Sequence, residues 1–353
     1  MFRSLLFGLA LACLPVGAFA QDWATAEVCT VETPEVVEEA LKPATLSDLE
    51  ARGTKVSNGK GRLWQIETPT GAVSHLWGTY HSADPLILDL PQTLRDAITA
   101  ARVVAVEVDF IAKSRAELRD APFYEARFKE ASDPFGAPAL GNTIAGLSEE
   151  QTGWIRDRAI DVGWTEDVEL ILSDAGIAEM LLSDPCEDFA GGIFPIQDDY
   201  IQLLGRLAGA NIVSLEDPHD FLDDLSDPAR ADTVEAIIQV YAAYLKPVET
   251  NAERATAFAL YRQGRMDVLA AWDEVYLGET LGDGAKRALE LTDGYLLAER
   301  NHRFLERARS EIAQGGVVMA VGFAHLPDAS GLVEMLRAEG HTVTRVILPG
   351  EVE

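Results

Sequence analysis

Val317-Val318-Met319-Ala320-Val321-Gly322-Phe323-Ala324-His325 is an apolar run that ends in Gly, two residues and His. The same ending occurs far upstream, in Leu76-Trp77-Gly78-Thr79-Tyr80-His81. A continuous, valine-rich run of this length reads as a strand buried on both faces, as in a parallel sheet. Glycine lets the backbone bend sharply where the strand ends. Each histidine then sits at a carboxyl end, the edge where open α/β sheets bind their ligands.

Working outward, Val103-Val104-Ala105-Val106-Glu107-Val108 is a third strand of the same buried type. Residues 62–67 and 72–77 alternate polar and apolar around Pro69-Thr70-Gly71, which is the pattern of a hairpin. Residues 211–216 read as a short strand ending in Glu216, and 342–348 as the strand that closes the sheet. Helical spacing of apolar residues predicts helices over 34–41, 91–101, 152–162, 167–182, 197–208, 228–244, 248–263, 265–275 and 330–339. A long helix over 284–313, broken near Thr292-Asp293-Gly294, stops at Gly315-Gly316. The class is therefore α/β. A mixed sheet forms from the N- and C-terminal parts of the chain, with a large helical insertion over about 112–313.

The 353 residues carry a net charge of -29, which disfavours nucleic acid and anionic membrane surfaces as partners. Residues 1–20 read as a secretory leader. Arg3 starts it, an apolar stretch over 4–12 follows, and Ala18-Phe19-Ala20 is a cleavage signal that leaves Gln21 first. Ala10-Leu11-Ala12-Cys13 is a poor lipoprotein signal, so soluble export to the periplasm or beyond is expected, with residues 21–353 as a single domain. No later run is long enough for a transmembrane anchor. Of the three cysteines, Cys29 and Cys186 remain after the leader. An even pair in an oxidising compartment points to a disulfide, over the alternative of two buried thiols. Neither cysteine has an adjacent histidine.

Two strand-end imidazoles, His81 and His325, can converge on one metal ion. Glu107 interrupts an apolar strand, and a buried carboxylate must be paired, protonated or metal-bound. Asp109 follows it with the same facing by strand periodicity, so the two read as a carboxylate pair. Either can bind a metal or act as general base. Glu216 is a second candidate acid. Asp198 and Asp199 read as the cap of the helix at Tyr200. His75, His219, His302 and His341 read as ordinary polar positions. The chain has no Walker loop, no dinucleotide glycine motif, no His-Glu-x-x-His helix and no Gly-x-Ser-x-Gly elbow. A cluster of cysteine metal ligands is also out of reach with two mature cysteines.

These segments together resemble the TraB/GumN family, which includes the Tiki proteins of animals. The resemblance runs from Leu76–His81 through Val106-Glu107-Val108-Asp109 and Leu215-Glu216 to Glu299-Arg300-Asn301. It continues through 320–326, Gly331-Leu332-Val333-Glu334-Met335-Leu336 and Gly340-His341-Thr342-Val343, and covers about residues 60–348. The resemblance implies a fold like that of the erythromycin-esterase and ChaN-like proteins. From the Tiki proteins it implies a divalent-metal-dependent protease with His81, His325 and Glu107 in the site. Pro327 departs from the family pattern, which often has glycine there. The expected ion is manganese, cobalt or zinc, and the expected substrate is a peptide or protein. Glu107 serves either as third ligand or as base; in the first case Asp109 or Glu216 supplies the base. Arg300 and Asn301 are candidates to stabilise an oxyanion. A non-catalytic envelope-assembly protein and a hydrolase of small esters or amides are the alternative functions.

Overall fold

The computed structural model describes residues 26–109, 147–161, 173–186, 195–217 and 220–353. The leader, Cys13, Gln21, His219, the start of the helical insertion and the first part of the 167–182 helix lie outside the described residues. Six strands form one mixed sheet: β1 (Leu63–Glu67), β2 (Val73–Thr79), β3 (Val103–Val106), β4 (Asn211–Ser214), β5 (Val317–Gly322) and β6 (Thr342–Val346). Their spatial order is β4-β3-β5-β2-β1-β6. β4, β3, β5 and β2 run parallel, while β1 lies antiparallel between β2 and β6. The two strands that end in Gly-x-x-His are therefore neighbours, with Thr79 opposite Gly322.

The valine runs form strands because each of their two faces has a core to enter. On one face, Val104, Val106, Val318, Ala320 and Trp77 pack under α1 (Gln92–Ala100), α2 (Gln197–Ala208) and α3 (Ala252–Arg262). On the other, Val103, Ala105, Val317, Met319, Val321 and Leu76 pack under α4 (Arg300–Gln314) and α5 (Leu332–Ala338). The alternation is strict along β3 and β5, as the period of two requires. Full burial of a side chain of this size stabilises by about 1.5–3 kcal/mol. A one-residue slip of β5 would exchange the two sets and misplace every motif residue after it.

Among the described residues, part of the insertion packs on itself, while its α2, α3 and α4 pack on the sheet. Helices Glu149–Asp161, Asp174–Leu181 and Ala231–Ala243 share a second core that holds Trp154, Ile177 and Ile237. The break expected near Thr292 is a π-helical turn, Gly294–Glu299, between helix Ala285–Asp293 and α4. It contributes Tyr295 and Leu296 to that second core. The 265–275 prediction is longer in fact, Met266–Leu281.

One predicted helix is absent. Residues 34–41 contain turns, with Ala40 N–H donating to Val37 O and Leu41 N–H to Glu38 O, and the helix comes later, at Leu46–Gly53. Pro43 bars Lys42 from helical backbone and stops any continuation. Thr45 and Asp48 form a reciprocal capping box that sets the later start. Cys29 and Cys186 are joined, with Cα atoms 5.4 Å apart, across 157 residues of sequence. Closing a loop this long restricts the unfolded chain. The double variant Cys29→Ser/Cys186→Ser is therefore expected to lose about 2–5 kcal/mol in urea unfolding. An unchanged midpoint would show that the bridge does not stabilise the fold.

Candidate functional site

All four parallel strands deliver a polar side chain to the same edge. Glu216 follows β4, Glu107 follows β3, His325 follows β5 and His81 follows β2. Glu107 stands at the centre. Its Oε1 lies 3.8 Å from His81 Nε2 and 3.7 Å from His325 Nε2, and accepts the Gly322 N–H at 2.6 Å. Its Oε2 accepts from Arg300 Nη2 at 2.6 Å. Arg300 also binds Glu216, through Nε at 3.0 and 3.2 Å and through Nη2. The guanidinium thus bridges two carboxylates, and its face stacks over Phe304 at 5.1 Å.

Both motif glycines lie at close approaches. A Cβ on Gly78 would lie 3.0 Å from Phe323 Cα, so a side chain there would push the turn after β5 away from β2 by a few tenths of an ångström. A Cβ on Gly322 would lie 2.9 Å from His81 Nε2 and 3.3 Å from Glu107 Oε1. Each motif therefore leaves room for the other. Tyr80 and Phe323, the variable residues within them, stack with centroids 5.6 Å apart.

Each ring is held at Nδ1. Asn301 Nδ2 donates to the carbonyls of His325 and Ser330, at 3.2 and 2.9 Å, which fixes the amide orientation. Its Oδ1 then accepts from His325 Nδ1 at 2.8 Å, leaving the Nε2 lone pair facing Glu107. Asp198 accepts from His81 Nδ1 at 2.9 Å and from the Thr79 hydroxyl at 2.7 Å. The two rings differ in exposure: the His325 side chain is 4% exposed and that of His81 48%. The site is closed behind His325 and open beside His81.

Burial and Arg300 dominate the electrostatics. Burial disfavours a charged Glu107, but Arg300, His325 and His81 outweigh it and hold the carboxyl well below the usual carboxylate range. Burial pushes the His325 imidazole down to about 3, against the pull of Glu107. Burial also opposes charge on His81, yet Asp198 and Glu107 lift it to about 9. Asp199, on the next position of α2, is pushed up to about 7 by burial and by Asp198.

Among the described residues, His81, Glu107 and Asp198 form a group that could hold a metal ion, with one ligand atom of each within 4.8 Å of the others; His325 meets this group only at Glu107. Two imidazole nitrogens face one carboxylate oxygen, with both Nδ1 atoms anchored as in protein metal sites. The distances from Glu107 Oε1 to each Nε2, 3.8 and 3.7 Å, are near the roughly 3.4 Å between neighbouring ligands of a tetrahedral ion with bonds of about 2.1 Å. Gly322 keeps the intervening space clear.

Other residues are placed differently from the sequence reading. β3 ends at Val106, so Glu107 follows the strand instead of interrupting it. The carbonyl of Glu107 accepts the N–H groups of both Leu215 and Glu216, which shows where the ladder loses its regular period. Strand periodicity thus does not reach Asp109. Asp109 is bound by Gln202 and by Arg206, the latter at 2.7 Å to both oxygens. Arg300 spends its donors on Glu107 and Glu216, and Asn301 serves His325. Asp198, read as a helix cap, reaches His81 instead, and the N-cap of α2 is Ile196. No local pattern in the sequence ties Asp198 to a histidine 117 residues away.

A three-layer α/β scaffold with a histidine–carboxylate site on the carboxyl edge of its parallel strands is the class of protein defined here. The chain belongs to the TraB/PrgY/gumN family, whose sequence pattern matches residues 62–345. No curated protein and no solved structure matches it.

A buried imidazole with a lowered pKa contributes stability that is complete above its unfolded value of about 6.5 and is lost as pH falls toward 3. In urea unfolding of the metal-free protein, the His325 share of this pH dependence is a loss of about 1–2 kcal/mol between pH 7 and 5, opposed by the raised His81 and Asp199. In His325→Gln that loss should shrink, and an equal loss in both proteins would contradict the placement of the ring.

Proposed function

We propose that residues 21–353 form one exported domain, a divalent-metal-dependent hydrolase that cleaves peptide bonds. The observation that carries this reading is the convergence of His81 Nε2 and His325 Nε2 on Glu107 Oε1 at an edge open on one side. His81, His325 and Glu107 would hold the ion. Bound there, a divalent ion supplies a polarised carbonyl and a water acidic enough to ionise near neutral pH. Manganese, cobalt and zinc all suit these ligands.

The side chains divide the remaining work. Arg300 keeps Glu107 ionised and turned toward the imidazoles. A carboxyl whose pKa is held this low is a weak base, which favours Glu107 as ligand over Glu107 as base. Asn301 locks His325 in the tautomer that leaves Nε2 free. Removing one partner from a buried ion pair costs about 3–5 kcal/mol. Arg300, flanked by two largely buried carboxylates, therefore acts first as their counter-ion rather than as a free oxyanion donor. The open side at His81 gives an extended substrate its approach. Export is supported by the leader-like residues 1–20 and by the Cys29–Cys186 bridge. Among the described residues no helix is long and apolar enough to cross a membrane.

Metal analysis of the wild type, His81→Ala and His325→Ala, paired with cleavage of a peptide library, tests this reading. The wild type should carry about one ion per chain, and both variants should lose it. Peptide cleavage should fall by at least about 100-fold in each, since several kcal/mol of charge stabilisation disappear. Full metal retention in both variants would remove the site. Metal bound without cleavage would make the protein a non-catalytic binder.

A further inference from the structure

The first turn of α2 is bound to the His81 loop with more polar contacts than packing requires. Gln197 is 1% exposed, and its Oε1 accepts from Trp77 Nε1 at 3.1 Å, from the Tyr80 N–H at 3.2 Å and from the Tyr261 hydroxyl at 2.8 Å. Its Nε2 donates to the Ile87 carbonyl, and its backbone N–H to the Ser82 carbonyl at 3.1 Å. The single Tyr261 O–H is shared between Gln197 Oε1 and the Gly78 carbonyl, at 2.8 and 2.9 Å. One buried amide thus joins the end of β2, the residue before His81 and the start of α2.

Asp198 is the next residue and inherits that fixed position. Its side chain is 13% exposed. One oxygen takes the Thr79 hydroxyl, and Thr79 is the last residue of β2 and fully buried. The other oxygen takes His81 Nδ1. The carboxylate therefore cannot swing without giving up a hydrogen bond to a buried strand end. His81 needs such a hold more than His325 does: it is half exposed, it lies beyond the strand, and free rotation would carry its Nε2 away from Glu107.

We propose that Asp198 is the positioning residue of the site, fixing the His81 ring through Nδ1 so that Nε2 is held over Glu107, with Gln197 as the anchor that fixes Asp198. The proposal rests on the metal-site reading for its consequence, but the hydrogen bond itself is testable without a metal. An anchored carboxylate on a ligand histidine is worth about 10–100-fold in metal affinity.

Two measurements separate these points. In the ¹⁵N-labelled metal-free protein, His81 should show a slowly exchanging Nδ1-bound proton that disappears in Asp198→Ala. Zinc or manganese titration by calorimetry should then show affinity lower by about 10–100-fold in Asp198→Asn, a smaller loss than in His81→Ala. Asp199→Asn, on the same turn but not bonded to His81, should bind as the wild type does. Metal-free Asp198→Asn should keep a cooperative thermal transition above the titration temperature, which shows that the affinity loss is read on folded protein. An Nδ1 proton unchanged in Asp198→Ala overturns the proposal. So does unchanged affinity in Asp198→Asn, and so does a loss as large as that of His81→Ala, which would make Asp198 a ligand. A wild type that binds neither ion but shows the Asp198-dependent proton would sink the metal-site reading and leave the hydrogen bond standing.

Discussion

A single carboxylate, that of Glu107, ties the parts of this molecule together. It accepts a backbone N–H from the end of β5, a guanidinium from the start of α4, and faces an imidazole from each side. Burying an anion is costly unless its partners are fixed in place. Here they are fixed by different layers. Gly322 belongs to the central strand, Arg300 follows a π-helical turn packed into the insertion core, and Glu216 follows the edge strand beside β3. The sheet and the helical insertion are therefore coupled through one charged cluster. The helical insertion is what brings the counter-ion.

The parallel strands make this arrangement possible. Four carboxyl ends lie along one edge, and each strand is held in register by cores on both faces. The Gly-x-x-His motif then does two things. Its histidine is carried past the strand, and its glycine admits the other motif's turn or ring. Two copies on adjacent strands bring both histidines to Glu107, which one copy cannot do. The asymmetry between the copies is equally physical. His325 is buried and held neutral, whereas His81 is half exposed and holds a proton in the absence of an ion.

Much of this was legible in the amino-acid sequence, and the reasons are specific. The valine runs at 103–106 and 317–321 mark strands because double-sided burial leaves no polar alternation. The repeated motif marks the edge, and Glu107 stands out as an acid after such a run. What escaped reading depends on contacts between distant segments. Asp109 is two residues from Glu107, but the strand ends at Val106, so periodicity no longer governs its direction. Asp198 looks like any acid in a first helical turn, and only the bonding of that turn to the end of β2 shows its partner. The helix at Leu46–Gly53 was missed in favour of 34–41, although the Thr45–Asp48 capping box and Pro43 both argue for the later start.

The central claim is that two imidazoles from adjacent strands share one ion with Glu107. Anomalous diffraction at the metal edge, from crystals of the full mature chain grown with manganese or zinc, tests it most directly. A single strong peak within coordination distance of His81 Nε2, His325 Nε2 and a Glu107 oxygen is predicted. A peak elsewhere, or His81 and His325 rings turned to separate regions, would contradict it.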